Sequence, residues 1–124
     1  MTYLATSINE SPVITEKANA AIADVRGRAV KFSSGKIALC GAGDAALGVG
    51  ILTNSETIAA GEDVDIQIKD IGLVYAGGAI AKGASLAAGA NGVFVTASNG
   101  ATVIATALDA ASTAGVFIRA IIKC

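Results

Sequence analysis

Residues 63–69 alternate without a fault: Val64, Ile66 and Ile68 fall on one side of an extended chain, and Asp63, Asp65, Gln67 and Lys69 fall on the other. This spacing predicts a half-buried strand. Residues 71–76 follow, apolar on both faces, which predicts burial or a subunit contact, and Gly77-Gly78 ends them. Beyond a small-residue segment, Asn91-Gly92 tolerates the positive φ of a tight turn and opens a strand at 93–96; Asn99-Gly100 closes it, and 102–108 is its expected antiparallel neighbour. Residues 109–115 predict a turn or a single helical turn. The strand 116–122 is apolar on both faces except for Arg119, a pattern expected of a strand paired on both edges or packed on another subunit.

The first half is less regular. Residues 1–15 mix Tyr3, Leu4, Ile8, Val13 and Ile14 with small polar residues and Pro12, so they read either as an extended arm lying on the domain or a neighbouring molecule, or as a frayed terminus. Residues 15–25, TEKANAAIADV, are the best helical candidate, with Thr15 as N-cap and Ile22 and Val25 as a short apolar stripe, although an extended path is open to them as well. Strands are expected at 26–33 and 36–40 around a Ser34-Gly35 turn. In LGVGIL, Leu47, Val49 and Ile51 share one strand face, and Gly48 and Gly50 share the other, where a second backbone can come close. Ile58-Ala59-Ala60-Gly61 and Leu86-Ala87-Ala88-Gly89 echo one another and read as one turn solution used twice. The pattern as a whole predicts an all-β domain of short, mainly antiparallel strands at 16–124, a small barrel or sandwich with at most one short helix, preceded by the arm at 1–15.

Composition narrows the chemistry. At 124 residues and 53% apolar content the chain can build one core, but aromatics are 4%, so that core must be made of aliphatic and small side chains. The net charge of −1 provides no field for nucleic acid. Residues 26–36 are basic (Arg26, Arg28, Lys31, Lys36) and 56–70 acidic (Glu56, Glu62, Asp63, Asp65, Asp70), a division that would suit head-to-tail packing of copies, against the plainer reading of two solvated faces. There is no histidine, hence no Ser-His or Cys-His nucleophile arrangement. Gly41-Ala42-Gly43-Asp44-Ala45-Ala46 matches the form G-x-G-x-x-A, but a dinucleotide fingerprint needs a helix after it and LGVGIL reads as a strand. Asp63 and Asp65 share the polar face of their strand with Lys69 and read as a solvated face, not as a catalytic pair. Cys40 and Cys124 have no metal-ligand spacing and read as two reduced thiols. The opening residues lack a basic and an apolar signal region, so synthesis without export is expected, and no run is long enough for a membrane-spanning helix. No metal, cofactor, enzymatic activity, nucleic acid or membrane partner is expected.

Three stretches, GAGDAALGVGILTN, AGEDVDIQIKDIGLVYAGGAIAKGASLAAGANGVFVTA and ATALDAASTAGVFIRAII, resemble the capsid cement, or head decoration, proteins of tailed bacteriophages, over roughly residues 36–124. The resemblance implies a tulip-like β domain and a homotrimer on the outside of the mature capsid, at threefold or quasi-threefold positions. Such a trimer would be made in the host cytoplasm and would clamp neighbouring major capsid protein subunits. The expected capsid or subunit contacts are Tyr3, Leu4, Arg26, Arg28, Tyr75, Phe117 and Ile121. A head-fibre or host-surface adhesin module is the alternative.

Overall fold

The computed structural model describes residues 12–124. Among the described residues, ten strands form two five-stranded antiparallel sheets. The first contains β1 (Val13–Lys17), β2 (Ala29–Ser33), β3 (Lys36–Leu39), β4 (Gly48–Gly50) and β5 (Asp63–Gln67), in the order β1-β5-β4-β2-β3. The second contains β6 (Ile71–Tyr75), β7 (Ser85–Ala88), β8 (Phe94–Thr96), β9 (Ala105–Ala107) and β10 (Phe117–Ile122), in the order β6-β10-β9-β7-β8. The all-β expectation holds, and the chain divides between the sheets near Asp70, a non-glycine residue at φ 68°.

Alternation in β5 works as its residues dictate: Val64 and Ile66 are buried while Asp63 is exposed. Its polar face is satisfied locally, with Lys17 on Asp63 at 2.6 Å and the Thr15 hydroxyl donating to Asp65 at 2.6 Å. Asp63 and Asp65 are thus cross-strand partners of β1. Beyond the short β4, Asn54 stands in for a strand: its side-chain amide donates to the Ile51 and Asp65 carbonyls and its oxygen accepts the Asp65 N–H.

Successive residues of β2 face opposite cores. Ala29 joins Cys40 and Val49 in the layer between the sheets, with Val74, Leu86, Phe94, Ile104 and Ile118 opposite them. Val30 joins Ile37, Val64 and Ile66 on the other side, where Ala18, Ile22 and Val25 cover the first sheet. Phe94 is the largest side chain fully withdrawn from solvent, and small residues fill much of the rest, as the composition requires.

Residues 15–25 are not a helix. Their amides bond to distant segments: Ala18 N–H donates to Glu62 O, Asn19 N–H to Ile37 O, and Ile22 exchanges both bonds with Ile58. Ala18, Ile22 and Val25 are buried at intervals that copy a helical stripe, but tertiary pairing overrides alanine's propensity. Val13, Ile14 and Thr15 belong to β1, so the expected arm boundary at 15 falls inside a strand. Tyr3 and Leu4 lie outside the described residues.

The glycine face of β4 does admit another backbone. A Cβ at Gly50 would lie 2.8 Å from Val25 Cγ2 and 2.9 Å from its carbonyl carbon, and one at Gly48 would lie 2.7 Å from Ile66 Cγ2. The G-x-G-x-x-A segment is a turn between β3 and β4, pinned by Asp44, whose carboxylate accepts the Gly41 N–H at 2.8 Å and Lys31 at 2.6 Å. A strand, not a helix, follows it.

Asn91 (φ 58°) and Gly92 (φ 73°) form the expected positive-φ turn, a single 3-10 turn joining β7 to β8. The expected partner of β8 is different, however: β9 pairs with β7 and β10, leaving β8 at the sheet edge. Nor is the internal echo one solution used twice, since Gly61 is a positive-φ turn residue whereas Leu86-Ala87-Ala88 lies in β7.

Candidate functional site

β10 is paired on both edges, by β6 and β9, as its apolar sequence anticipates. The register sets Tyr75 opposite Phe117, Leu73 opposite Arg119 and Ile71 opposite Ile121. Alternation then divides these strands. Val74, Ile118, Ala120 and Ile122 enter the core, and the other set faces outward. The outward residues remain uncovered: Ile71 is 58% exposed, Phe117 42%, Leu73 41% and Ile121 37%, with neighbouring Val116 at 39%. Ile71, Leu73, Phe117 and Ile121 on the two adjoining strands, with Val116 just before β10, form an apolar patch around Arg119, which isolated surface leucines do not.

The one charged side chain of β10 is paired within the chain. Arg119 makes a two-pronged contact with Asp109, Nε at 3.0 Å and Nη2 at 2.8 Å, and its backbone N–H donates to the same carboxylate at 3.1 Å. Those hydrogen bonds hold the Asp109 carboxyl down to about 2.

At its upper end the face becomes an aromatic and cationic stack. The Tyr75 and Phe117 rings meet edge to face, 5.5 Å between centroids at 80°, and the Arg28 guanidinium lies 4.5 Å over the Tyr75 ring. Arg28 Nη1 donates to the Asn91 carbonyl at 3.3 Å, while its buried Nε has no hydrogen-bond partner among the described residues. Gly27 joins this stack to the first sheet: its N–H donates to Gly50 O at 2.7 Å, and its carbonyl accepts the Tyr75 N–H at 2.7 Å. Its φ of +70° and a built Cβ 2.6 Å from Phe117 Cε1 both demand glycine there.

β6 is the edge strand opposite β8, but this edge is guarded. The Gln67 side-chain amide donates to the Lys69 carbonyl at 2.8 Å and the Ile71 carbonyl at 2.9 Å, lying over Gly72, where a Cβ would meet it. Gly27 occupies the opposite end through the Tyr75 amide. What β6 offers a partner is therefore mainly its face, not a free strand edge.

Of the contact residues expected from the sequence, Arg28, Tyr75, Phe117 and Ile121 come together here. Arg26 does not: it grips Asp24 with Nε and Nη2, both at 3.0 Å, and reaches Glu56 at 3.7 Å. With Lys31 on Asp44 and Lys17 on Asp63, the division into basic and acidic blocks resolves largely into local ion pairs. Ile71, Leu73 and Val116 complete the patch. Their signal was present in the both-face apolarity of 71–76 and 116–122, but which residues face outward follows from a register that only the fold displays.

A shallow groove of about 440 Å³ adjoins the stack through Arg28 and Asn91 and runs between residues 20–24 and β3, with Ile22, Ile37 and Leu39 in its wall and Asp24 among its polar groups. Asp24 is held by Arg26 there, and the side-chain hydrogen bond from Arg26 lowers its pKa, so the groove has no free carboxylate for catalysis. Burial pushes the Cys40 thiol up to about 12, the opposite of a nucleophile's requirement. Among the described residues, no three His, Cys, Asp or Glu side chains cluster to hold a metal ion.

Comparison with known proteins agrees with this picture. No curated protein matches the chain. Among solved structures, the head fiber gp8.5 N base in bacteriophage phi29 has the same fold, at TM-score 0.67 and 19% identity over 89% of this chain and 92% of that one. The family model described as phage cement protein matches residues 8–122. The chain belongs to the phage cement protein family and is a capsid-associated structural protein.

Proposed function

We propose that the protein assembles as a homotrimer with a tulip-like β body on the outside of the mature phage capsid, where it cements the shell by bridging neighbouring major capsid protein subunits. Synthesis in the host cytoplasm precedes attachment. The observation that supports the reading is the largely apolar outer face of β6 and β10, a surface suited to contact between copies, on a member of the cement family. An enzyme reading has less to stand on, because the candidate ionisable groups Asp24, Asp44, Asp63 and Asp109 are engaged in ion pairs.

The mechanism is linkage. A protein that binds only the expanded, assembled shell stabilises that state by about 2.7 kcal/mol per site when its free concentration is a hundred times Kd. Threefold repetition converts modest contacts into avidity, since the second and third attachments are intramolecular. No catalysis, metal, cofactor, nucleic acid or membrane takes part in this action.

Co-sedimentation of purified protein with undecorated expanded capsids of the cognate phage tests this reading. Saturable binding with a plateau in multiples of three per threefold position is expected, and capsids that pellet without it refute the proposal. A second reading, a head-fibre base or adhesin module, is favoured by the fold shared with the phi29 head fiber base. It predicts saturable binding to host cells or surface glycans instead.

A further inference from the structure

We infer that the outer face of β6 and β10 is the seam between copies of this chain, and not the surface that meets the shell; the inference rests on the trimer reading above. Ile71, Leu73, Phe117 and Ile121 together leave roughly 350 Å² of largely apolar surface in water, the size of the largest patch on a typical monomer, which is often a functional contact. A second copy of the chain is available to cover this face from the time the chain folds, before any capsid is met.

The chemistry also suits a permanent contact. Interfaces between identical subunits are more apolar at their centres than those of partners that also exist apart, and their centres are depleted of charge. Here the one cation within the two strands, Arg119, is already neutralised by Asp109 in the same chain, so its burial would not strand an unpaired charge, while the Arg28 cation beside it rests on the Tyr75 ring. The Arg28–Tyr75–Phe117 stack provides the rigid aromatic and arginine anchors in which subunit contacts are rich. The apolar area is about half of the ~800 Å² that each partner contributes to a stable interface, which fits the dry centre of a patch with a polar rim. Gln67 and Gly27 guard the β6 edge, so the copies meet face to face around the axis and do not extend the sheet.

The test compares the full-length wild type with Leu73→Glu by light scattering and circular dichroism at micromolar concentration. Leu73 faces solvent, so a charge there leaves the core intact. The expected result is a trimeric wild type and a monomeric variant with the same far-ultraviolet spectrum. A trimeric Leu73→Glu overturns the seam while leaving the trimer reading in place, whereas a monomeric wild type overturns both. A benzoylphenylalanine at position 117 provides a readout that does not depend on the variant's folding. Cross-links to a second copy's β6 or β10 are expected, and cross-links to residues 1–11 or to the capsid protein in their place overturn the assignment.

Discussion

Gly50→Ala should be among the most damaging single-methyl additions in the first sheet. Gly50 is buried in β4, and a Cβ built there falls inside 3.0 Å of the Val25 carbonyl oxygen, carbonyl carbon and Cγ2. Val25 cannot yield alone, because it is buried and its carbonyl accepts the Arg28 N–H at 3.1 Å. Relief requires lifting residues 25–28 away from β4, which sacrifices the bonds from Gly27 N–H to Gly50 O at 2.7 Å and from Gly50 N–H to Arg28 O at 3.0 Å. Overpacking costs about 1–3 kcal/mol and each lost hydrogen bond about 1 kcal/mol. The unfolded-chain entropy that alanine removes returns about 0.4–1 kcal/mol. The net expectation is about 2–4 kcal/mol, a large part of the roughly 5–15 kcal/mol that holds a domain together. Urea denaturation at one fixed protomer concentration measures it, since oligomerisation makes unfolding depend on concentration. Gly78→Ala is the control: a Cβ there meets nothing within 4 Å and the residue has no positive φ. If Gly50→Ala costs under about 1 kcal/mol, or no more than Gly78→Ala, the close-packed role of the β4 glycines is wrong.

Two further measurements probe local environments. The Asp109 carboxyl should titrate near 2 by carbon-detected nuclear magnetic resonance, because the Arg119 side chain and N–H both favour its ionised form. Its folded value lies below its unfolded value, so the stabilisation is fully present above the ordinary carboxylate range and disappears as pH falls from about 4 towards 2; titration at an ordinary carboxylate value would contradict the pair. Iodoacetamide at near-neutral pH should modify the exposed Cys124 before the buried Cys40, whose thiol burial and the nearby Asp44 charge push up to about 12. Equal labelling rates in the native protein would contradict the packing of Cys40 between the sheets.

Much of this architecture is written in local pattern. The alternation of Val64, Ile66 and Ile68 against Asp63, Asp65 and Gln67 specified β5, and the glycines of LGVGIL announced a close backbone approach before its partner, Val25, was known. Long-range pairing was not legible. Ala18, Ile22 and Val25 recur at helical intervals, yet Glu62, Ile37 and Ile58 take the hydrogen bonds of this segment from as far as 44 residues away in sequence. Residues 102–108 follow the β8 hairpin in sequence, yet β9 pairs with β7, because β8 takes the sheet edge. The proposed contact face was half legible: both-face apolarity marked β6 and β10 as strands suited to a partner. Which of their residues point outward depends on the register of Phe117 on Tyr75, a property of neither strand by itself.

The central claim is that this protein holds a phage shell together, and the thermal stability of the shell tests it most directly. Scanning calorimetry of undecorated expanded capsids, with and without saturating protein, should show the capsid transition moving to higher temperature and levelling off when the binding sites are filled. A transition that stays in place although the sites are filled would contradict the cementing role.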